Sequence, residues 1–256
     1  MSEAATPGPI EHRLRELLRA GPIHFTLIDP EKSPGEAAGE IAQGAVAAGS
    51  HVVLLGGSTG ISREGMAAAA AAVKARVKVP VIIFPEGPGS LAPGPDAILF
   101  MSLLNSRNLD LVVRTHAKTS LAIRKLGLEP IPLGYLVVAP GMRVGEVGEV
   151  DAVPRDRPDV AQGFALAAEF LGMRLLYLEA GSGAPSPVPA EMVHAVREIL
   201  SIPLIVGGGI RSGRDARTLL DAGAQILVTG SVVEEQGLSR GYREIVSEVN
   251  RDRDGS

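Results

Sequence analysis

"PLIVGGGIRSGRDARTLLDAGAQILVTG", residues 203–230, decides the fold. It opens on an apolar run, breaks into three consecutive glycines, carries a helical pattern from Arg214 to Ala222 that stops at Gly223, and closes on a second apolar run. Neither run alternates polar with apolar residues. Continuous apolarity suits strands covered on both faces, as in a parallel sheet whose crossovers are helices.

Six further runs of the same kind precede it: HFTLID (24–29), HVVLLG (51–56), PVIIFP (80–85), DAILFM (96–101), YLVVAP (135–140) and LLYLEA (175–180). An internal echo, AAGSHVVLLGGS (47–58) against DAGAQILVTGS (221–231), is what repeated βα units produce. Helical patterns fill most intervals. Ser62 to Val77 is Ala-rich, with Ser62 as N-cap and Glu64 in the first turn. Asn105 to Leu126 keeps helical spacing and stops at Gly127; Pro158 to Leu171, Pro189 to Leu200 and Leu238 to Val249 follow. Eight strands alternating with helices predict an α/β chain folded as one (β/α)8 TIM barrel over residues 1–256, with its core at about 10–250 and short mobile termini, RDRDGS among them. A doubly wound open sheet is the rival; no GxGxxG turn follows the first strand.

One interval departs from the rhythm. Only PEGPGSLAPG (85–94) separates the third and fourth strands, with three prolines and three glycines, too many for a helix interior. The outer ring is therefore expected to lack its third helix. That is either a plain deletion or a gap along which something long and apolar could lie.

Composition excludes several functions. Apolar residues are 45% and charged residues 21%, enough for a packed core. Aromatics are 3% with no Trp, and net charge is −4, which argues against nucleic-acid binding and electrostatic membrane docking. Cysteine is absent, so disulfides, thiolate metal sites and Cys nucleophiles are ruled out. No signal-peptide pattern opens the chain and no apolar stretch reaches the ~18 residues of a membrane span. The expected location is the cytoplasm.

In such barrels the active site lies at the C-terminal ends of the strands. Three late strands end in glycine-rich loops: EAGSG (179–183), GGGIRSG (207–213) and TGSVV (229–233). Bare amides and following helix N-termini favour anions, so the set reads as a phosphate cradle. The competing reading is relief of tight turns. Asp29 ends strand one, and Gly56, Gly57, Ser58 and Thr59 end strand two. One carboxylate and a hydroxyl can hold Mg²⁺ when water and substrate phosphates complete the shell; alternatively, Asp29 caps a turn at Asp-Pro. Arg143, after strand five, either faces the site or stands in solvent. His12, His24, His51, His116 and His194 show no zinc spacing and are read as structural.

LIDPEK (27–32), LLGGSTG (54–60), YLEAGSGA (177–184), VGGGIRS (206–212) and VTGSVVE (228–234) together resemble the geranylgeranylglyceryl phosphate synthases, with PDAILFMSLLNSRN (95–108) and VAPGMRVGEVGEV (138–150) similar to their group II branch. The resemblance implies a modified barrel lacking the third helix. It also implies a prenyltransferase that forms an ether bond between sn-glycerol 1-phosphate and geranylgeranyl diphosphate in archaeal-type phospholipid synthesis; related members use other polyprenyl lengths. By the same resemblance Tyr177, Leu178, Glu179, Ala180, Gly181, Ser182 and Gly183 bind glycerol phosphate with Gly208, Gly209, Gly230 and Ser231. Asp29 and Ser58 match the Mg²⁺ positions, and a homodimer or hexamer is implied. Ser231 stands where Asn or Thr is frequent, which still leaves a hydroxyl and an N–H.

These residues suggest a mechanism. Glu179, at the tip of strand six, accepts the proton of the attacking hydroxyl, and Tyr177, two residues earlier on the same strand face, orients the glycerol. Magnesium at Asp29 neutralises the departing diphosphate. The tail is expected to run past the third-helix gap near Leu91 and Ala92. A sugar-phosphate isomerase or flavin barrel explains the glycines but not Asp29 with Ser58, and a non-catalytic phosphometabolite binder leaves Glu179, Tyr177 and Asp29 without a task.

Overall fold

Eight parallel strands close on themselves in chain order in the computed structural model, which describes residues 6–57, 60–230, 238–251 and 253. They are β1 (Ile23–Ile28), β2 (Val52–Leu55), β3 (Val81–Ile83), β4 (Ala97–Leu103), β5 (Glu129–Val137), β6 (Leu175–Glu179), β7 (Leu204–Gly207) and β8 (Ile226–Thr229). β8 returns to β1 with Ile226 opposite Ile23 and Thr229 opposite Thr26. All eight expected strands are present and the open-sheet rival is excluded.

The unbroken apolarity of the strands follows from this closure. Phe25, Leu54, Ile82, Leu99, Tyr135, Tyr177, Ile205 and Val228 fill the barrel interior. Their strand neighbours turn outward into two layers beneath the helices, Val53 and Ile83 on one side, Leu176, Leu178 and Leu227 on the other. Both faces are dry, so no polar alternation is needed.

Helices α1 (Pro9–Arg19), α2 (Glu36–Ala47), α3 (Arg63–Arg76), α4 (Thr115–Leu126), α5 (Met142–Val147), α6 (Pro158–Phe170), α7 (Ala190–Ile199), α8 (Gly213–Asp221) and a C-terminal helix, Arg240–Arg251, surround the sheet. Ser62 caps α3 by accepting from the Gly65 amide, as its sequence position suggested. Two expectations need correction. The stretch after β4 is not one helix from Asn105. Asn105 instead stands in a loop, its amide donating to the Val137 and Asp151 carbonyls and accepting from the Val137 N–H, before a π-turn (Asp110–Arg114) leads into α4. β5 also begins six residues before the expected Tyr135. Its early residues Pro130 and Pro132 fall opposite Ile98 and Phe100 of β4, and pairing with β6 starts only at Leu133. The N–H of Glu129 points to β4, so the two prolines lie on the side that needs no donor.

Between β3 and β4 there is only a single 3₁₀ turn, Pro88–Ser90, so the third outer helix is missing as expected. The opposite end of the barrel is closed by α1. Its Leu14 joins the interior cluster, and Glu129 accepts from the Ile10 and Glu11 amides at 2.7 and 2.9 Å, capping the helix from a strand more than 100 residues away. The buried Glu11 pairs with Arg15 and Arg174. Arg253 donates to the carbonyls of Leu17, Gly21 and Pro22, which ties the tail to this end as far as that residue. The rest of RDRDGS beyond it, and residues 1–5, lie outside the described residues.

Candidate active site

The strand tips enclose a cavity of about 360 Å³ with two unlike ends. Glu179, Ser182, Gly183, Gly208, Gly209 and Gly230 line the polar end, with Arg211 beside them. Asp29, Lys32, Gly57 and Glu86 line a second polar wall. The remainder is apolar and runs through Leu91, Ile98, Phe100, Met101, Leu111 and Ile123, with Pro88 and Leu91, between β3 and β4, on its border.

Glu179 is the centre of the polar end. Strand alternation points it, with Tyr177, into the barrel mouth, and only 6% of it is exposed. Its Oε1 accepts from the Gly181 N–H at 2.6 Å. The hydroxyls of Tyr177 and Tyr135 also hydrogen-bond to the carboxylate. Burial, the largest influence, raises the pKa of Glu179 above the ordinary carboxylate value, and these three donors work against the rise. Burial and the nearby carboxylate push both tyrosines well above their usual value, so they remain donors. The tyrosine rings lie 4.9 Å apart, and Phe84 meets each edge-on. A buried, oriented carboxylate of raised basicity at a cavity wall is suited to take a proton.

Tyr135 was missing from the sequence reading. With β5 assumed to start there, it lay at the wrong end of the barrel; it is in fact the seventh of nine strand residues, level with Tyr177.

Of the other expected site residues, three do not line the cavity. Leu178 and Ala180 point outward into the layer beneath the helices, and the Ala180 N–H and C=O are both engaged, with Gly207 and Gly141. Gly181 does not line the cavity, and its amide is committed to Glu179 rather than to an anion. Ser58 and Ser231 lie outside the described residues. Arg143, with two readings open in the sequence, lines the cavity. So does His116, read as structural; its ring meets Phe100 edge-on at 4.4 Å and burial lowers its pKa. His24 is structural: its ring nitrogens meet the Ser50 and Thr229 hydroxyls, and burial, with His51 nearby, lowers its pKa to about 3.

The glycines do two jobs. A Cβ on Gly207 would stand 2.0 Å from the Tyr177 hydroxyl, and one on Gly208 would stand 2.2 Å from Glu179 Oε1. These positions make room for Tyr177 and Glu179 as much as for a ligand. Arg211 donates to the Gly183 carbonyl at 3.2 Å, bridging two of the glycine loops, and Arg155 ties the β5 and β6 loops through the Ala139 and Pro187 carbonyls.

Asp29 combines its two sequence readings. Oδ1 accepts from the Glu31 N–H at 2.9 Å, capping the turn, while Oδ2 lies 3.8 Å from the Lys32 ammonium on the cavity wall. The pKa of Glu86 is raised by burial and then by the charges of Asp29 and Glu31, and its buried Oε1 has no hydrogen-bond partner among the described residues. No three acids or histidines among the described residues form a metal cage. Hard carboxylate oxygens with an orphaned neighbour fit a divalent cation that completes its shell from a ligand.

The cavity thus places an acid at the barrel mouth between a glycine-lined polar end and a long apolar groove. The chain matches the PcrB family over residues 14–249, and it belongs to that family. Relatives named geranylgeranylglyceryl phosphate synthase include one from Thermococcus gammatolerans, 44% identical over 95% of this chain and 96% of its own. Another, from Methanothermobacter marburgensis, is 48% identical over 93% and 97%. The solved (S)-3-O-geranylgeranylglyceryl phosphate synthase of Thermoplasma acidophilum, in complex with substrate sn-glycerol-1-phosphate, is 42% identical and superposes with a TM-score of 0.91 over 96% of this chain and all of that one. The chain is a prenyltransferase.

Proposed function

We propose that the chain transfers the geranylgeranyl group of its diphosphate to the far hydroxyl of sn-glycerol 1-phosphate. The observation that carries this reading is Glu179, buried between two tyrosines where the glycine-lined end of the cavity meets the apolar groove. The phosphate sits against Gly208, Gly209 and Gly230, near Arg211. The hydroxyl faces Glu179. The bond from the allylic carbon to the diphosphate oxygen breaks, the glycerol oxygen forms the new ether bond, the carboxylate takes the hydroxyl proton, and diphosphate leaves. Magnesium would be held by Asp29 and Ser58, with Glu86 adjacent, and supplies neutralisation of the leaving charge. A homo-oligomer, dimer or hexamer, working in the cytoplasm completes the reading.

Purified protein is to be incubated with Mg²⁺, labelled glycerol 1-phosphate and prenyl diphosphates of graded length. An ether-linked product with released diphosphate is expected, and turnover is expected to stop on chelation. Turnover with no ether product would overturn the activity, and turnover indifferent to chelation would overturn the metal.

Two further results follow. Because burial raises Glu179, the acid limb of kcat/KM is expected above the ordinary carboxylate range, and it should disappear in Glu179→Gln; an acid limb unchanged in that variant would assign it to another group. Each buried CH₂ of the tail contributes about 0.8 kcal/mol, so groove length governs preference. Leu91 lines the groove and Ala92 is buried off it. Leu91→Trp is therefore expected to favour shorter chains, and an unchanged product distribution would move the groove elsewhere.

A further inference from the structure

The two faces of α4 carry different chemistry. Thr115, Thr119 and Ile123 face the apolar groove. Ala117 and Leu121 of α4, continuing from Val113 of the preceding π-turn, face outward, with Val113 56% and Leu121 72% exposed. Arg114, Lys118, Arg124 and Lys125 accompany this stripe, and no acid occurs between Arg114 and Leu126. The nearest acid, Asp110, pairs with Lys118 at 3.3 Å.

The groove opens beside this face. Val147 lines the cavity and is also 55% exposed, so the cavity meets the surface beside it. Asn108 donates to Glu149 at 2.8 Å and the Arg107 amide to the Glu149 carbonyl at 3.0 Å, which fastens the segment before the π-turn to the segment after Val147. Exposed Leu109, 52% accessible, follows directly. Two exposed aliphatic side chains, Leu109 and Val147, with the exposed acids Glu146 and Glu149 next to the latter, therefore adjoin a basic, aliphatic helix face at this margin of the cavity.

We propose that this surface, the outer face of α4 with Leu109 and Val147, docks on an anionic lipid bilayer. The inference rests on reading the apolar end of the cavity as the prenyl groove. A prenyl diphosphate and its ether product are both amphiphiles with long apolar tails. An opening pressed against the bilayer passes the tail between membrane and groove without exposing it to water. Aliphatic side chains reach the acyl boundary, and the cations match anionic headgroups. This locates membrane affinity on one face, although the chain as a whole is acidic.

Flotation of the purified protein, without substrates, on vesicles of phosphatidylcholine alone and of phosphatidylcholine with phosphatidylglycerol tests the proposal. Binding is expected to the anionic vesicles, weakening with salt. Val113→Glu with Leu121→Glu, and separately Arg124→Gln with Lys125→Gln, should each lower partitioning roughly tenfold or more. Both double variants should keep the wild-type circular dichroism spectrum and normal turnover of a short, water-soluble prenyl diphosphate. No flotation, or flotation unaltered in both variants, would overturn the proposal. So would a fall in molar mass by light scattering in the glutamate variant without vesicle binding by the parent, because a second copy would then cover the face. Wild-type failure to turn over the soluble substrate is a separate outcome, which removes the prenyl-transfer reading itself.

Discussion

Glu179→Gln is expected to lower turnover by about 10²–10⁴-fold, the range that general-base catalysis supplies. The amide keeps the shape of the carboxylate; its oxygen can still accept from the Gly181 N–H, and its NH2 group can donate to a tyrosine hydroxyl oxygen where the carboxylate accepted, so the KM for glycerol phosphate should move little. Near-normal turnover would remove the residue from its role. The same substitution has a stability signature. A carboxyl whose pKa is raised on folding contributes stability that is present at low pH and lost as pH rises through the folded pKa. The wild-type protein thus bears an unfavourable buried charge at neutral pH. Glu179→Gln should melt higher than wild type at pH 7, and the difference should shrink on acidification below the ordinary carboxylate value. A neutral-pH melting point lower than wild type would mean that the three donors outweigh burial.

Gly208→Ala is expected to disable the site from the opposite wall. Residue 208 has φ +80°, and the added methyl would lie 2.2 Å from Glu179 Oε1 and 2.6 Å from the Gly181 nitrogen. An alanine forced into left-handed backbone costs about 1–3 kcal/mol. The clash must also turn the carboxylate away, because the other side is backbone. Turnover should fall as far as in Glu179→Gln, with a lower melting temperature instead of a higher one. Steady-state kinetics beside thermal unfolding separates the two variants. Full activity in Gly208→Ala would mean that Glu179 works from another rotamer.

The barrel was legible because double burial leaves a chemical trace: eight runs of apolar residues, all but the fourth followed within two residues by glycine or proline. Elements whose composition contradicts their state were not. β5 contains Pro130 and Pro132, which read as loop until the pairing partners show that neither position needs an N–H. α2 contains Gly39 and Gly44, poor helix formers in isolation. They are tolerated because neighbours crowd the space: a Cβ on Gly39 would meet the Ala72 carbonyl at 2.9 Å, and one on Gly44 the Leu238 side chain at 2.1 Å. The site was legible in the same partial way. Glu179, Tyr177, Ser182, Gly183 and the later glycines stand where strand-end reasoning put them, at the cavity wall. Leu178, Ala180 and Gly181 do not, because a contiguous motif includes the outward residues of a strand and the turn that serves its acid. Tyr135 was lost through the same error that lost the start of β5.

The thirteen residues between β3 and β4 carry a further consequence. They border the groove yet contribute no stave to the barrel, and the acid, its tyrosines and the glycine turns are all anchored on other strands. Product length can therefore change by rewriting one short hinge-like border while the reacting end is left untouched. Divergence of tail preference among such enzymes is then an inexpensive step, open to single substitutions, whereas a change of headgroup would require rebuilding four strand tips at once.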